Sequence, residues 1–509
     1  MQGNLGNTPV KPSRKCAVTS KYISPNQLVL EGFETPFAQK LSKQNRWVKL
    51  NELIPWDSVV RIYDKNFSSK EGRPPINGRV VIAAVIIKHM LDLTDRETIM
   101  QIQENVFMQY FIGLSSFTNE EPFSHTLFVS IRERLGNEVI SEVNKIILQH
   151  HKIMKEDHEI HDEKALDNDD KKDADIENKD IPKEEPNRGK LLVDATVAPQ
   201  NITFPTDLKL LNSSRVKTEE LIDKLYNKHI HQEKPRTYRE VARKEFLNTA
   251  KKKQKTHKEI YKANGSQLRY LGRNINHVIE MLDRYKALSE FIDIPLKKKD
   301  YKYFDIIQQV YNQQNYMYQN NIHTVENRIV SIHQSHVRPI VRGKEGRKVE
   351  FGSKLNVSMV KGFSSIDKMS WDNFNEGTCL KETVEKYKTR FGYYPKEVLV
   401  DQIYCNRENR QYLKEKNIIL KGKQLGRPKK DQASSNLVSP GERNPIEGKF
   451  GQAKVGYGMN LIRAKLKNTS ESWVASIILV LNLVNLTRRA LLCYIDRLIF
   501  LLFGKSPCF

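Results

Sequence analysis

The pattern of apolar and polar positions divides the chain into helical and extended stretches. After an arm of little periodicity at 1–45, apolar residues recur at helical spacing over 46–150. The stretch VVIAAVIIKHMLDL (80–93) predicts an apolar helix, and HTLFVSIRERLG (125–136) predicts another that ends at its final glycine. We therefore expect 46–150 to form a compact helical domain.

Two helix starts carry capping signals. Thr94 is followed three residues later by Glu97, which predicts a capping box. Near the C-terminus, RNPIEGKFGQAK (443–454) offers Asn444 as an N-cap, a proline at the first helical position and Glu447 where a capping-box glutamate belongs. Glu447 is therefore either a capping side chain or part of a functional site, and the local sequence does not decide between them.

Three stretches of the sequence, separated by predicted helices, have the pattern of β-strands. KLLVDATV (190–197) is a short β-rich run, RPIVRGKEGRKVEFGSKLNVSMVKGF (338–363) predicts two strands around a KEGR turn, and KEVLVDQIY (396–404) is a further β-run after the helix KETVEKYKTRFG (381–392). Residues 208–330 between the first two are helical throughout. The order predicts a mixed α/β core, 190–207 and 331–472, interrupted by the helical insertion 208–330.

Charge separates a further segment from these domains and points to a partner. Residues 156–186 hold 14 acidic and 5 basic side chains, so 151–189 is expected to be a disordered acidic linker. The whole chain nevertheless carries a net charge of +23. An excess of that size over so many segments indicates a polyanionic partner, and nucleic acid is the favoured one.

The remaining composition favours a soluble protein of a reducing compartment. The five cysteines are scattered and form no CxxC pair, which argues against a disulfide framework and against a zinc site. The N-terminus lacks the apolar core of a signal peptide. Polar and charged residues interrupt the apolar stretch at 473–509, so we expect two packed helices there and no membrane span.

Three carboxylates are the candidate residues of a functional site. LLVD and VLVD place Asp194 and Asp401 at the ends of apolar β-runs, and such strand ends are where sites form in α/β sheets. Glu447 lies in a basic, glycine-containing helix start, with Lys454 seven residues on and therefore on the same helix face. Magnesium prefers hard oxygen ligands of this kind.

Long stretches of the chain, in order, resemble the DDE transposases of bacterial insertion sequences, in the group related to insertion sequences four and five. The stretches that carry the resemblance are RWVKLNELIPWDSVV, GRPPINGRVVIAAVIIKHMLDLTDRETIMQIQENVFMQYFIG, LLVDATVAPQNITFPTDLKLLN, YYPKEVLVDQIYCNRENRQYLKEKNI, LGRP and ERNPIEGKFGQAKVGYGMNLIRAKL. The resemblance implies a ribonuclease-H-like α/β core with a mixed sheet, interrupted by a helical insertion and preceded by an all-α N-terminal domain.

Carried over by position, the resemblance implies that Asp194, Asp401 and Glu447 are the catalytic and metal-binding triad. It also assigns Arg443 and Lys454 to the binding of transposon-end DNA, to which the basic neighbours Lys449 and Arg427 are added as candidate DNA contacts. The family signature has a tyrosine three residues before the arginine. This chain has Pro440 there, so that contact is missing.

The implied activity is cleavage of insertion-sequence ends and joining of the 3′-OH ends to target DNA by two-metal-ion phosphoryl transfer. The implied cofactor is Mg²⁺, as two ions, with Mn²⁺ as a substitute. The implied partners are the terminal inverted repeats and target DNA, with a homodimer in the synaptic complex and a cytoplasmic, nucleoid-associated location. Two alternatives stay open: a transposase-derived DNA-binding protein, and a ribonuclease-H-superfamily nuclease without strand transfer.

Overall fold

A computed structural model describes residues 41–65, 76–151, 153, 186–288, 292–341, 349–422 and 441–503, and of 491 and 493–503 it describes the backbone alone. Three predicted features lie largely or wholly outside these residues. They are the N-terminal arm, the acidic linker and the LGRPKK segment with Arg427.

Six helices form the described part of the N-terminal region. They are α1 (Arg46–Leu53), α2 (Trp56–Lys65), α3 (Gly78–Met90), α4 (Asp95–Glu104), α5 (Val106–Phe111) and α6 (Leu127–His150). Helix α3 is apolar on every side and buried from Gly78 to His89, as expected for a helix surrounded by others. The predicted capping box is confirmed, because the Thr94 side chain accepts from the Glu97 N–H and the Glu97 carboxylate accepts from the Thr94 N–H.

The predicted helix end at Gly136 is confirmed in the backbone. Gly136 has φ 47° and ψ 176°, so the helical geometry breaks there, and a second helical stretch runs on to His150 within α6. In that second stretch, Ile140, Val143 and Ile147 resume the apolar helical spacing and are buried in the N-terminal core.

An ionic cluster lies inside this region. The Lys88 ammonium is 3.0 Å from Asp95 Oδ1, and Arg132 donates to both Asp95 oxygens at 2.8 and 2.9 Å. Lys88 and Arg132 also lie 4.7 and 5.5 Å from the ring of Trp473. The cluster therefore joins the N-terminal helices to the C-terminal helix.

The six strands of the described residues form one mixed sheet. They are β1 (Lys190–Pro199), β2 (Arg338–Val341), β3 (Val349–Val360), β4 (Phe363–Ser370), β5 (Glu397–Val400) and β6 (Ile419–Lys421). The order is β2–β3–β1–β5–β6, with β4 also paired to β3; the β1–β5 and β5–β6 pairs are parallel and the others antiparallel. The two strands predicted at 338–363 are present, whereas β4 was missed because its apolar residues do not alternate.

Four helices lie in the described part of the predicted insertion, between β1 and β2. They are α7 (Asp207–Leu225), α8 (Arg239–Ala250), α9 (His257–Ala287) and α10 (Lys298–Gln319). Their inward faces share an apolar cluster of their own, in which Leu211, Leu271 and Val310 are fully buried. The insertion therefore has a core separate from the cores on the sheet.

The C-terminal part adds α11 (Leu380–Phe391), α12 (Arg407–Glu415), α13 (Asn444–Gly456) and α14 (Lys467–Phe503), with short 3₁₀ turns at Glu376–Cys379 and Gln402–Tyr404. The two helices predicted at 473–509 are instead one continuous helix. Within the described residues, Lys467–Ala490 is long and apolar enough to cross a membrane, and 83% of its most apolar window is buried inside the protein. The core helix of a soluble protein can have the same length and composition, so these two properties do not show that the helix crosses a membrane.

Candidate active site

The parallel pairing of β1 with β5 makes Asp194 and Asp401 neighbours. Val193 pairs with Val400, and each aspartate follows directly in the sequence. Asp401 follows the last residue of β5, as predicted. Asp194 does not end β1, because β1 continues to Pro199 along β3; it lies where β1 loses its parallel partner.

Helix α13 brings Glu447 to the same edge of the sheet. Its buried residues Ile446 and Ala453 anchor the helix. The capping prediction is wrong in detail, because the N-cap is Arg443, without a side-chain capping bond, and Asn444 is the first helical residue. Glu447 remains in the first turn, where the helix dipole favours a carboxylate.

Arg443 contacts all three carboxylates. Its Nη1 donates to Asp401 Oδ1 at 3.2 Å, and its Nη2 donates to Asp194 Oδ2 at 3.4 Å. The same Nη2 lies 3.9 Å from Glu447 Oε1. The guanidinium thus occupies the centre of the predicted triad, which sequence separation alone could not reveal.

These residues line a cleft of about 910 Å³. Lys454 lines it together with Glu447, so the prediction that the two share a face is confirmed. Among the described residues, no three His, Cys, Asp or Glu side chains are arranged closely enough to hold a metal ion as they stand. Each triad carboxylate instead has the Arg443 guanidinium as a common neighbour.

Known families match the two ends of this chain. Residues 35–134 match the family "Transposase domain (DUF772)", and residues 398–484 match "Transposase DDE domain", which includes Asp401 and Glu447. Both matches are to transposase families, and the second is to the DDE type. These matches do not assign it to a particular group of insertion sequences.

One curated relative of this chain is an uncharacterized protein, ORF8 in the nfe locus of Rhizobium meliloti. It is 30% identical over 98 residues, which are 19% of this chain and 47% of the relative. The chain therefore spans about half the length of the curated relative that it matches. No solved structure matches it.

Asp194 is the most enclosed of the three carboxylates in the cleft. Burial raises its pKa, and the nearby charges of Asp401 and Glu376 raise it further. The Ala195 N–H, which donates to Asp194 Oδ1 at 2.8 Å, and the charge of Arg443 act in the opposite direction. The side chains of Asp401 and Glu447 are 57% and 60% exposed, so two of the three carboxylates are open to a ligand.

The cleft also contains an ion pair that the sequence did not suggest. Lys354 on β3 is buried, and its ammonium lies 2.9 Å from Glu376 Oε1 and donates to the Phe374 carbonyl at 2.8 Å. Both Lys354 and Glu376 line the cleft. The signal available in the sequence for this ion pair was Lys354 itself, a lysine at a buried position of the strand that pairs with β1.

Lys449, a further predicted DNA contact, does not line the cleft. Burial lowers its pKa, and the charges of Arg488 and Arg489 lower it further, so it lies near these two residues of α14. Arg427 is outside the described residues. Trp371, which follows β4, is buried and donates to Glu471 Oε1 at 2.7 Å.

Proposed function

We propose that this protein binds the ends of an insertion sequence, cleaves them and joins the resulting 3′-OH ends to target DNA. The observation that carries the proposal is the convergence of Asp194, Asp401 and Glu447 on one guanidinium, in one cleft, in a chain with two transposase domains. Three carboxylates from separate parts of the sequence meet there, in a chain whose net charge is +23.

The donor set fits Mg²⁺. All three groups offer carboxylate oxygens, which this ion prefers, and the described lining of the cleft contributes no sulfur or imidazole ligand. Asp194, Asp401 and Glu447 would hold two Mg²⁺ ions, for which Mn²⁺ can substitute. When bound, such ions activate an attacking oxygen and stabilise a leaving oxygen in phosphodiester displacement.

The protein's own residues supply positioning and charge compensation. Arg443 and Lys454 line the cleft and would contact the phosphates beside the scissile bond, where charge-assisted hydrogen bonds orient the backbone. The Lys354–Glu376 pair, held on β3 and the 3₁₀ turn, would keep the wall of the cleft in position. Positioning of this kind is the main protein contribution to phosphoryl transfer.

The sheet order supports a ribonuclease-H-like core. Strands β4, β3 and β1 form an antiparallel meander, and β5 and β6 extend it in parallel from β1. In the proposed assignment, the aspartates lie on the central strand β1 and after its parallel neighbour β5, and the glutamate lies on a later helix.

Grip on the DNA outside the cleft would come from the insertion and the N-terminal helices. Between Lys234 and Lys262 the insertion carries eleven basic and three acidic side chains, and all eleven basic side chains are exposed. Such a surface follows phosphates without reading sequence. The N-terminal helices would read the terminal repeats, within a homodimer that acts on DNA in the bacterial cytoplasm.

A strand-transfer assay tests the proposal. Pre-cleaved terminal-repeat DNA is incubated with the protein, supercoiled target DNA and Mg²⁺, and joined product is expected. Cleavage of uncut ends without joining would instead identify a nuclease, and binding without either reaction would identify a DNA-binding derivative. The proposed function predicts inverted repeats on both sides of the coding region, and these would supply the DNA for the assay.

A further inference from the structure

A second cleft, of about 660 Å³, lies apart from the residues of the active site. We name it the lysine cleft for Lys299, Lys302, Lys465 and Lys467, which all line it. Lys299 and Lys302 belong to α10 of the insertion, whereas Lys467 is the first residue of α14 and Lys465 lies just before it. The cleft is thus formed where the insertion meets the C-terminal part of the chain.

The lysine cleft is strongly cationic. All four lysines are exposed, and none of them forms an ion pair with a carboxylate of the described residues. Glu133 of α6 is the acidic side chain at its lining. Four ammonium groups around one concavity repel one another, so an anionic ligand would stabilise them.

The positive charge of the lysine cleft also affects the pKa of its two histidines. Burial lowers the pKa of His333, and the charges of Lys217, Lys465 and Lys299 lower it further. Burial, together with the charges of Lys467, Arg338 and Lys302, lowers the pKa of His336 to about 4. Lysines from both sides of the cleft therefore act on the same small volume.

A short segment links a residue of the lysine cleft to the lining of the active-site cleft. The ring of His336 packs edge-to-face on Trp371, with ring centres 4.3 Å apart. Trp371 follows β4, and Asn373, Phe374 and Asn375, a few residues on, line the catalytic cleft. Residues 371–375 thus run from a side chain packed on His336 of the lysine cleft to the lining of the active-site cleft.

We propose that the lysine cleft binds backbone phosphates of the same DNA whose phosphodiester bond reacts between Asp194, Asp401 and Glu447. The proposal rests on the proposed function and adds a phosphate-binding site away from the reacting bond. The ligand class is a phosphodiester. Ser335 and Asn468, which also line the cleft, supply neutral hydrogen-bonding groups beside the four cations.

The first test measures the salt dependence of DNA binding. A variant with Lys299→Gln, Lys302→Gln, Lys465→Gln and Lys467→Gln is compared with wild type by anisotropy of a labelled duplex. The slope of log K against log salt is expected to fall by roughly 0.9 for each phosphate that the variant no longer neutralises, or about 3 to 4 in all. Circular dichroism and the melting temperature of the variant establish that it is folded.

Lys396→Gln with Lys414→Gln is the matched control. Both residues are exposed lysines on the side of β5 and β6 where these strands begin, opposite to Asp401. This double variant should keep the wild-type slope. If the slope fell equally per substituted lysine in both variants, the effect would come from net charge alone, and the proposal would be overturned.

The second test detects direct contact. Lys302→Cys and Lys465→Cys are treated with duplex DNA that carries bromoacetyl groups on phosphorothioates, with Lys396→Cys as the control. Crosslinks at the two cleft positions, unaffected by millimolar inorganic phosphate, support a DNA site. Crosslinks that inorganic phosphate abolishes would indicate a site for small free phosphates, and no crosslink above the control would overturn the proposal.

The strand-transfer assay separates the two failures. If wild type joins ends and the quadruple variant keeps its salt slope, the lysine cleft proposal fails and the proposed function stands. If wild type neither cleaves nor joins, the proposed function fails.

Discussion

The Nη2 atom of Arg443 lies 3.4 Å from the Oδ2 atom of Asp194, across 249 residues of sequence. The resemblance assigned this arginine to DNA, whereas its guanidinium is held by the carboxylates that would hold metal ions. The Arg443 guanidinium cannot pair fully with these carboxylates and with DNA phosphates at the same time. It also contacts the carboxylate oxygens that a divalent cation would bind, so the arginine and the cation compete for them.

Removing the Arg443 charge should therefore strengthen metal binding in the absence of DNA. Arg443→Ala is expected to bind Mn²⁺ about tenfold more tightly than wild type, because a positive charge close to the carboxylates opposes a second cation. Titration followed by electron paramagnetic resonance measures this. Arg443→Lys keeps the charge and should change the affinity less, and Arg61→Ala, at an exposed residue of α2, should not change it. Equal affinities in all four proteins would contradict competition.

Neutralising the exposed carboxylates should abolish the chemistry and spare the fold. Asp401→Asn and Glu447→Gln are expected to lower cleavage and joining together by at least about a thousandfold, because each removes a metal ligand. DNA affinity should be unchanged or higher, since the variants carry less negative charge beside the phosphates. Gel assays of end cleavage and joining measure the effect, with Glu408→Gln on α12 as the control. Cleavage retained in Asp401→Asn would show that the triad is wrongly assigned.

The ionic cluster around Asp95 should be a large contributor to stability. Asp95→Asn is expected to lower the free energy of unfolding by about 2–4 kcal/mol, because it leaves Lys88 and Arg132 buried without their counter-charge. Urea unfolding measures the loss. Asp283→Asn makes the same chemical change in an exposed pair with Lys286, where the loss should stay below about 1 kcal/mol. Equal losses at both sites would mean that burial does not matter here.

Acidification should destabilise the protein partly through His336. Its pKa is about 4 in the folded protein and about 6.5 when unfolded, so below pH 6.5 the unfolded chain binds a proton that the folded chain does not. Stability then falls as the pH drops from about 6.5 to about 4, by on the order of 2 kcal/mol after allowance for screening by water.

Urea unfolding at several pH values tests this dependence. His336→Gln should show a shallower loss of stability over that pH range than wild type. His229→Gln, at an exposed histidine of the insertion, should follow wild type. The prediction fails if the two variants lose stability in parallel.

Features that depend on neighbouring residues were predictable from the sequence. The capping box at Thr94 and the aspartates after LLV and VLV follow from short patterns, and the structure contains them. The helix break at Gly136 also follows from a short pattern, whereas the helical stretch after it depends on later residues that pack in the core. The buried pair of Lys354 and Glu376 depended on how β3 meets the 3₁₀ turn, which no local pattern encodes.

The base of the helical insertion has a consequence for how such a chain can change over time. Gly352 on β3 pairs with Pro199 on one side and with Arg338 on the other, so the chain leaves and re-enters the sheet at opposite sides of one residue. Two strand spacings separate these points, which is roughly 10 Å. A linker of a few residues could bridge that gap without altering any strand register. Because the insertion has a core of its own, evolution or an engineer can lengthen, exchange or delete it while the carboxylates stay in place.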